Sequence, residues 1–292
     1  MFVSATGRLA RSAAIILLTL VVAACGAAQA TSSPSPSPSP SPTPTPLPTP
    51  SPTPVGATLL IEVTSEGGFI NPAARLGQLP EVVVDADGKI YTQAVDDGSG
   101  KLVPGVLVRD VGAAGAAAIL AAIRDAGLDV ENTDGGGVSG DTGVTIFTAV
   151  INGETIVNRV VASGPGGPGH PGGGSNPAVE LLTRLTDPAE TWGAANVITT
   201  TYQPVGYRVY DAPAADGRSG SVDWPLTQPL ADFGSPQTPD FGVAGLRSGI
   251  VLGADAASLA AAAADATSQE TFKSDGDAYQ VWVRPLLPDE LG

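Results

Sequence analysis

The 292-residue chain has one cysteine, one histidine and one methionine. A single thiol can neither close an intramolecular disulfide nor build a thiolate metal centre. His170 is the only imidazole, so a Ser-His-Asp or Cys-His arrangement would have to use it. It lies in GPGGPGHPGGGS, residues 164–175, where glycine neighbours offer no packing to fix a ring. A catalytic base must be held far more tightly than that. The nearest approach to a nucleophile elbow, Gly137-Val138-Ser139-Gly140-Asp141, fails at its last position. Zinc, copper and haem centres built on His or Cys are excluded on the same count, and no cofactor is expected.

Basic residues are scarce too. Of 14 Lys and Arg, Arg8 and Arg11 are the only charged residues before position 56. The other 12 face 29 Asp and Glu in the remainder, a net charge of −17 there. Such a body repels nucleic-acid phosphate and anionic lipid headgroups, so neither nucleic acid nor a basic membrane dock is an expected partner. Aromatics make up only 5% of the chain. Trp192, Trp224 and Trp282 therefore read as core anchors. Trp224, beside Pro225 in the least regular segment, is the best of the three for an exposed contact.

The cysteine is placed with purpose. Arg8 and Arg11 precede the twelve-residue apolar stretch AAIILLTLVVAA, residues 13–24. A spanning helix needs about 20 such residues. A positive start, a short apolar core and small residues at its end describe an export signal. Val22-Ala23-Ala24-Cys25 follows directly and resembles the lipobox of bacterial lipoprotein precursors. That resemblance implies a diacylglyceryl group on the Cys25 thiol, cleavage after Ala24, and a protein tethered to the extracytoplasmic face of the cell membrane. Two or more acyl chains hold a protein stably where one does not.

Residues 32–54 alternate Ser or Thr with Pro almost without interruption. Such a tract has no helix ladder or packed core and favours extended polyproline II, at about 3.1 Å per residue. It reads as a semi-rigid stalk, so the chain divides into a signal (1–24), a lipidated linker (25–56) and a folded region (57–292), with a subdivision near 213 as an alternative.

The folded region reads as α+β with a largely antiparallel sheet. ATLLIEV, VPGVLV, YRVYDAP, GIVLG and AYQVWVRPLLP are strand candidates, and EVVVDADGKIYTQAV is a hairpin turning at Asp85–Gly88. In VTIFTAVINGETIVNRVVA the Asn152-Gly153 pair predicts a two-residue turn with Ala149 facing Ile156 and Phe147 facing Asn158. Three short Ala-rich helices are expected. In residues 112–126, Ala116, Ile119, Leu120, Ile123 and Ala126 form one apolar stripe that stops before Gly127. Asn176 should cap a helix opening on Pro177, and Asp255 one running to about Asp265. GGF (67–69), LPEVVVDADG (79–88) and WVRPLLPDE (282–290) are similar to stretches of an uncharacterised group of secreted bacterial proteins, a resemblance that implies no activity.

Carboxylates remain as chemistry. Asp85 with Asp87, Asp96 with Asp97, and Asp134 with Asp141 can supply calcium ligands, but none completes an EF-hand loop, and Asp and Gly are also preferred turn residues. Two readings follow. One is a lipid-anchored envelope protein acting as a non-catalytic binding or organising module, with an envelope protein or a glycan as partner. The other is a carboxylate-based hydrolase of envelope glycans.

Overall fold

The computed structural model describes residues 58–66, 72–96, 98–132, 143–161, 176–215, 220–238 and 242–291. The lipobox, the Ser/Thr-Pro tract, the GGF stretch, His170, Asp97, Asp134 and Asp141 lie outside them.

Ten elements build the first half: β1 (Leu59–Glu66), β2 (Val82–Asp85), β3 (Lys89–Gln93), β4 (Val106–Asp110), α1 (Gly112–Asp125), β5 (Val144–Ile151), β6 (Glu154–Val161), α2 (Pro177–Thr186), α3 (Pro188–Trp192) and β7 (Ile198–Thr201). Their strands form one seven-stranded sheet ordered β6-β5-β1-β2-β3-β4-β7. Every pairing in it is antiparallel.

The second half supplies β8 (Gly206–Pro213), β9 (Val222–Asp223), β10 (Ser235–Pro236), β11 (Arg247–Leu252), α4 (Gly253–Ala263), β12 (Thr271–Ser274) and β13 (Asp277–Pro285). They make a six-stranded sheet ordered β10-β11-β8-β13-β12-β9, antiparallel except where β12 meets β9. The fold is therefore α+β with antiparallel-rich sheets, as expected. The chain changes sheet between Thr201 and Gly206; residue 213 is the last of β8.

Local chemistry sets the turns. Asn152 and Gly153 both take positive φ (55° and 84°), as a type I′ turn demands, and pair Phe147 with Asn158 and Ala149 with Ile156. At the β2–β3 turn Gly88 has φ +87°, and a Cβ there would lie 2.3 Å from the carbonyl oxygen of Gly112. The α1 stop is a Schellman motif: Leu128 N–H donates to Ile123 O and Gly127 N–H to Arg124 O. The Asn176 side chain accepts from the Ala178 N–H at 2.9 Å and opens α2 on Pro177.

Three expectations need correction. Leu120 and Ala126 are only partly buried at the edge of the core, and Gly115 and Ala122 join the buried stripe, Gly115 because a Cβ there would lie 2.3 Å from the Val111 side chain. Asp255 does not cap α4. Leu252 holds that position and Asp255 sits in the first turn, where its charge still complements the helix dipole. Short strands are also more numerous than the apolar patterns predict. β9 and β10 have two residues each, and the four residues of β7 are all exposed, so none shows the alternation that marks a half-buried strand.

Each sheet has one helix-covered face. Ile61, Phe147 and Ile90 of the first pack under Ile119 and Ile123 of α1 and Leu181 and Leu185 of α2. Val209, Val281, Val283 and Phe272 of the second pack with Leu259 of α4 and with Trp224, Leu230 and Phe233 of the β9–β10 segment. On its other face the first sheet places Val83, Tyr91, Val106 and Val108 around Leu287. The second packs Ala212, Tyr210 and Trp282 with Leu76 of the β1–β2 connection. The Tyr202 hydroxyl ties the end of the first sheet to Leu286 O at 2.9 Å. The outermost strands of the first sheet are β6, with Glu154 and Arg159 exposed, and β7.

Phe147 is fully buried in the larger core. Phe147→Ala should lower folding stability by about 3–5 kcal/mol, measured as the free energy of urea unfolding.

Candidate functional site

The turn carboxylates are spoken for. Asp85 is buried at the end of β2, with Oδ1 accepting from the backbone N–H of Asp87 (3.0 Å) and Lys89 (2.9 Å). Its Oδ2 accepts from the Tyr91 hydroxyl at 3.1 Å. Three donors and a tight turn explain this aspartate, with Asp87 exposed beside it. Asp96 accepts from the Gly98 N–H at 2.9 Å in the same manner. Among the described residues no group of three or more His, Cys, Asp or Glu is arranged to hold a metal ion.

The tryptophans are anchors. Trp192 packs on the first core under the Arg184 guanidinium, 5.8 Å from its ring centroid. Trp282 is partly buried beside Tyr210. Trp224, expected to be the most exposed, is buried. It meets Phe233 and Phe272 edge to face at 5.7 and 5.9 Å, and its Nε1–H donates to Gln228 O at 2.9 Å. An irregular backbone does not imply an exposed side chain when an aromatic cluster lies beneath it.

The structure directs attention to residues the turn motifs do not contain. An open cleft of about 890 Å³ lies where β1 ends and the β1–β2 connection crosses toward the second sheet. Its wall is half apolar, from Leu76, Leu79, Pro80 and Val95, and half polar and of mixed charge, with Glu62, Glu66 and Glu81 alongside Arg75, Arg109 and Arg284. The Ser65 hydroxyl donates to Glu81, Arg159 pairs with Glu66 at 3.1 Å, and Arg109 donates to the Thr92 hydroxyl at 2.6 Å.

The base of this region is an ionic knot. Arg284 on β13 makes a two-pronged contact with Glu290 at 2.6 and 2.7 Å, Arg208 on β8 adds a third at 3.4 Å, and the Leu287 N–H donates to Glu290 Oε2 at 3.1 Å. Burial works against ionisation of Glu290, but the Arg284 fork outweighs it and holds the carboxyl below its usual value. Glu62 behaves oppositely. Burial, then the charges of Asp289 and Glu290, push its carboxyl up, with Arg284 pulling the other way. Asp289 is likewise raised, chiefly by burial. Carboxyls driven apart in this way can divide into proton donors and fixed anions.

Asp211 on β8 is the other buried acid. It is 0% exposed, and among the described residues neither carboxylate oxygen has a hydrogen-bond partner. Burial pushes its pKa up to about 7, with Arg247 opposing. Sequence alternation held the clue: Tyr207, Val209 and Asp211 fall on one face, and the first two are core residues. Glu62 and Arg284 carried no comparable signal, since each lies in an ordinary polar position of an alternating strand.

Compared with family models, curated proteins and solved structures, the chain has no match.

The raised carboxyl of Asp211 has a signed consequence. The folded state keeps its proton to about pH 7, whereas the unfolded chain releases it near 3.8. Stability from this group is therefore present below pH 3.8 and is lost as pH rises to about 7, a swing of about 4 kcal/mol. Urea unfolding between pH 4 and 8 should show this fall in the wild type, and Asp211→Asn should lack that part of the slope.

Proposed function

We propose that this is a lipid-anchored cell-envelope protein whose folded region is a non-catalytic binding or envelope-organising module. One observation carries the reading: the only cysteine, Cys25, directly follows Val22-Ala23-Ala24 at the end of a short apolar stretch with a positive start. This pattern resembles a bacterial lipoprotein precursor. The Ser/Thr-Pro tract after it supplies a spacer to the extracytoplasmic side, about 65 Å when extended.

The cleft supports the binding part. Its Glu, Arg, Thr, Gln and Tyr side chains offer hydrogen-bond donors and acceptors along an open wall. That chemistry suits a hydroxyl-rich glycan or a polar protein segment better than an apolar ligand. The acidic balance disfavours nucleic acid.

A specific observation keeps a second reading in play. Glu62 lies in the cleft wall with its carboxyl pushed up, as a general acid in glycoside hydrolysis requires. Glu290 is bound into the Arg284 fork and is a poor nucleophile or base. This pairing makes hydrolysis the less supported of the two.

Cells fed a labelled fatty acid should incorporate it into the wild-type chain. Cys25→Ala should take up no label and stay uncut after Ala24, as seen by gel mobility and N-terminal sequencing. An acyl-free Cys25 in the mature wild type would refute the anchor. For the second reading, wild type and Glu62→Gln are to be incubated with purified envelope polysaccharide and reducing ends counted. The binding reading expects no release by either. Release by the wild type that a folded Glu62→Gln loses would replace it with the hydrolase.

A further inference from the structure

Arg247 on β11 stands directly opposite Asp211 on β8, so both side chains leave the same face of the sheet. The guanidinium does not bond the carboxylate. Its Nε donates to Phe233 O at 2.7 Å and its Nη2 to Gly234 O at 3.1 Å. Those carbonyls belong to the strap 224–236 that crosses the second core and brings Trp224, Leu230 and Phe233 down onto it. One cation thus lies within reach of two competing acceptors, the strap carbonyls and a buried acid that has no hydrogen-bond partner among the described residues.

We propose that Asp211 and Arg247 form a proton-operated latch: with the carboxyl protonated, Arg247 fastens the strap, and with the carboxyl ionised, Arg247 turns to it and releases the strap. A buried carboxylate is costly unless paired, and among the described residues Arg247 is the cation that acts on it. Besides Arg247, the strap is held at its ends by Trp224 N–H to Lys273 O at 2.9 Å and by the two-residue pairing of Ser235 and Pro236 with β11, and at its middle by Leu230 N–H to Ser274 Oγ at 3.0 Å. It also packs closely on β11, where a Cβ on Gly234 would lie 2.2 Å from Ser248 O.

Other titratable groups face the same spot. Tyr279 comes from β13, and its hydroxyl is raised by burial and then by Asp277, Asp211, Asp275 and Asp232. Asp232 lies on the strap itself, Asp275 in the β12–β13 turn and Asp277 at the start of β13. Across the core, α4 contributes the apolar side chains of Ala256, Leu259, Ala260 and Ala263. For Asp211 itself burial opposes ionisation and Arg247 favours it.

The direction is fixed by linkage. Closed, the carboxyl holds its proton to about pH 7; released, it returns toward 3.8. Strap opening should therefore grow by up to about tenfold per pH unit across that window and level off above it.

Hydrogen exchange on the full chain at pH 5, 6, 7 and 8, corrected for intrinsic exchange, tests this. Peptides spanning 224–237 should lose protection toward pH 7, while those of the β5–β6 hairpin keep theirs. Asp211→Asn should flatten the strap profile. Arg247→Gln should expose the strap at pH 5 as fully as the wild type does at pH 8, and this variant carries the test if Asp211→Asn does not fold. A strap insensitive to pH, equal profiles in wild type and Asp211→Asn, a hairpin loosening in step with the strap, or an Arg247→Gln strap as protected at pH 5 as the wild type would each overturn the latch.

Discussion

Arg284 and Glu290 meet through two short hydrogen bonds between the helix-free face of the second sheet and the turn that follows β13. Arg208 closes the group from the neighbouring strand. The same turn carries Leu286 and Leu287, both almost wholly buried, and Leu287 packs among Val83, Tyr91, Val106 and Val108 of the first sheet. A pair this well formed and this enclosed is costly to break on one side only, because the surviving charge stays buried. The fork therefore fixes the leucines, and the leucines join two sheets whose helix layers lie on their other faces. It also shapes the electrostatics around the cleft: Arg284 lowers the Glu290 carboxyl, and the Glu290 charge adds to burial in raising Glu62 and Asp289.

What the sequence discloses follows the range of the interaction. The Asn152-Gly153 turn, the Gly127 stop and the Asn176 cap depend on bonds spanning a few residues, and each is legible in a short stretch of letters. The Asp85 turn is equally local, with donors two, four and six residues away. Arg208 and Glu290 stand 82 residues apart, and no pattern in either neighbourhood names the other. Asp211 falls between these cases. Its place in an apolar alternation is readable, but Arg247 opposite it is known only once β8 and β11 pair.

The two stretches LPEVVVDADG and WVRPLLPDE, far apart in the chain, converge in the fold. Val83 of one and Leu287 of the other share a cluster, while Arg284 and Glu290 of the second form the fork. Residues from both stretches thus build the joint between the two sheets. Such a joint constrains folding and does not by itself prescribe chemistry, in keeping with the proposed role as a binding module.

The outer strands of the first sheet differ in a way that bears on crowding. β6 presents Glu154 and the Arg159–Glu66 ion pair, whereas β7 is Ile-Thr-Thr-Thr with no charge. Open-ended growth of copies into a filament requires one rim to accept the opposite rim of the next molecule. Charged side chains on β6 resist that addition. At the first sheet, strand addition is therefore left to the rim of β7, which carries no such charge.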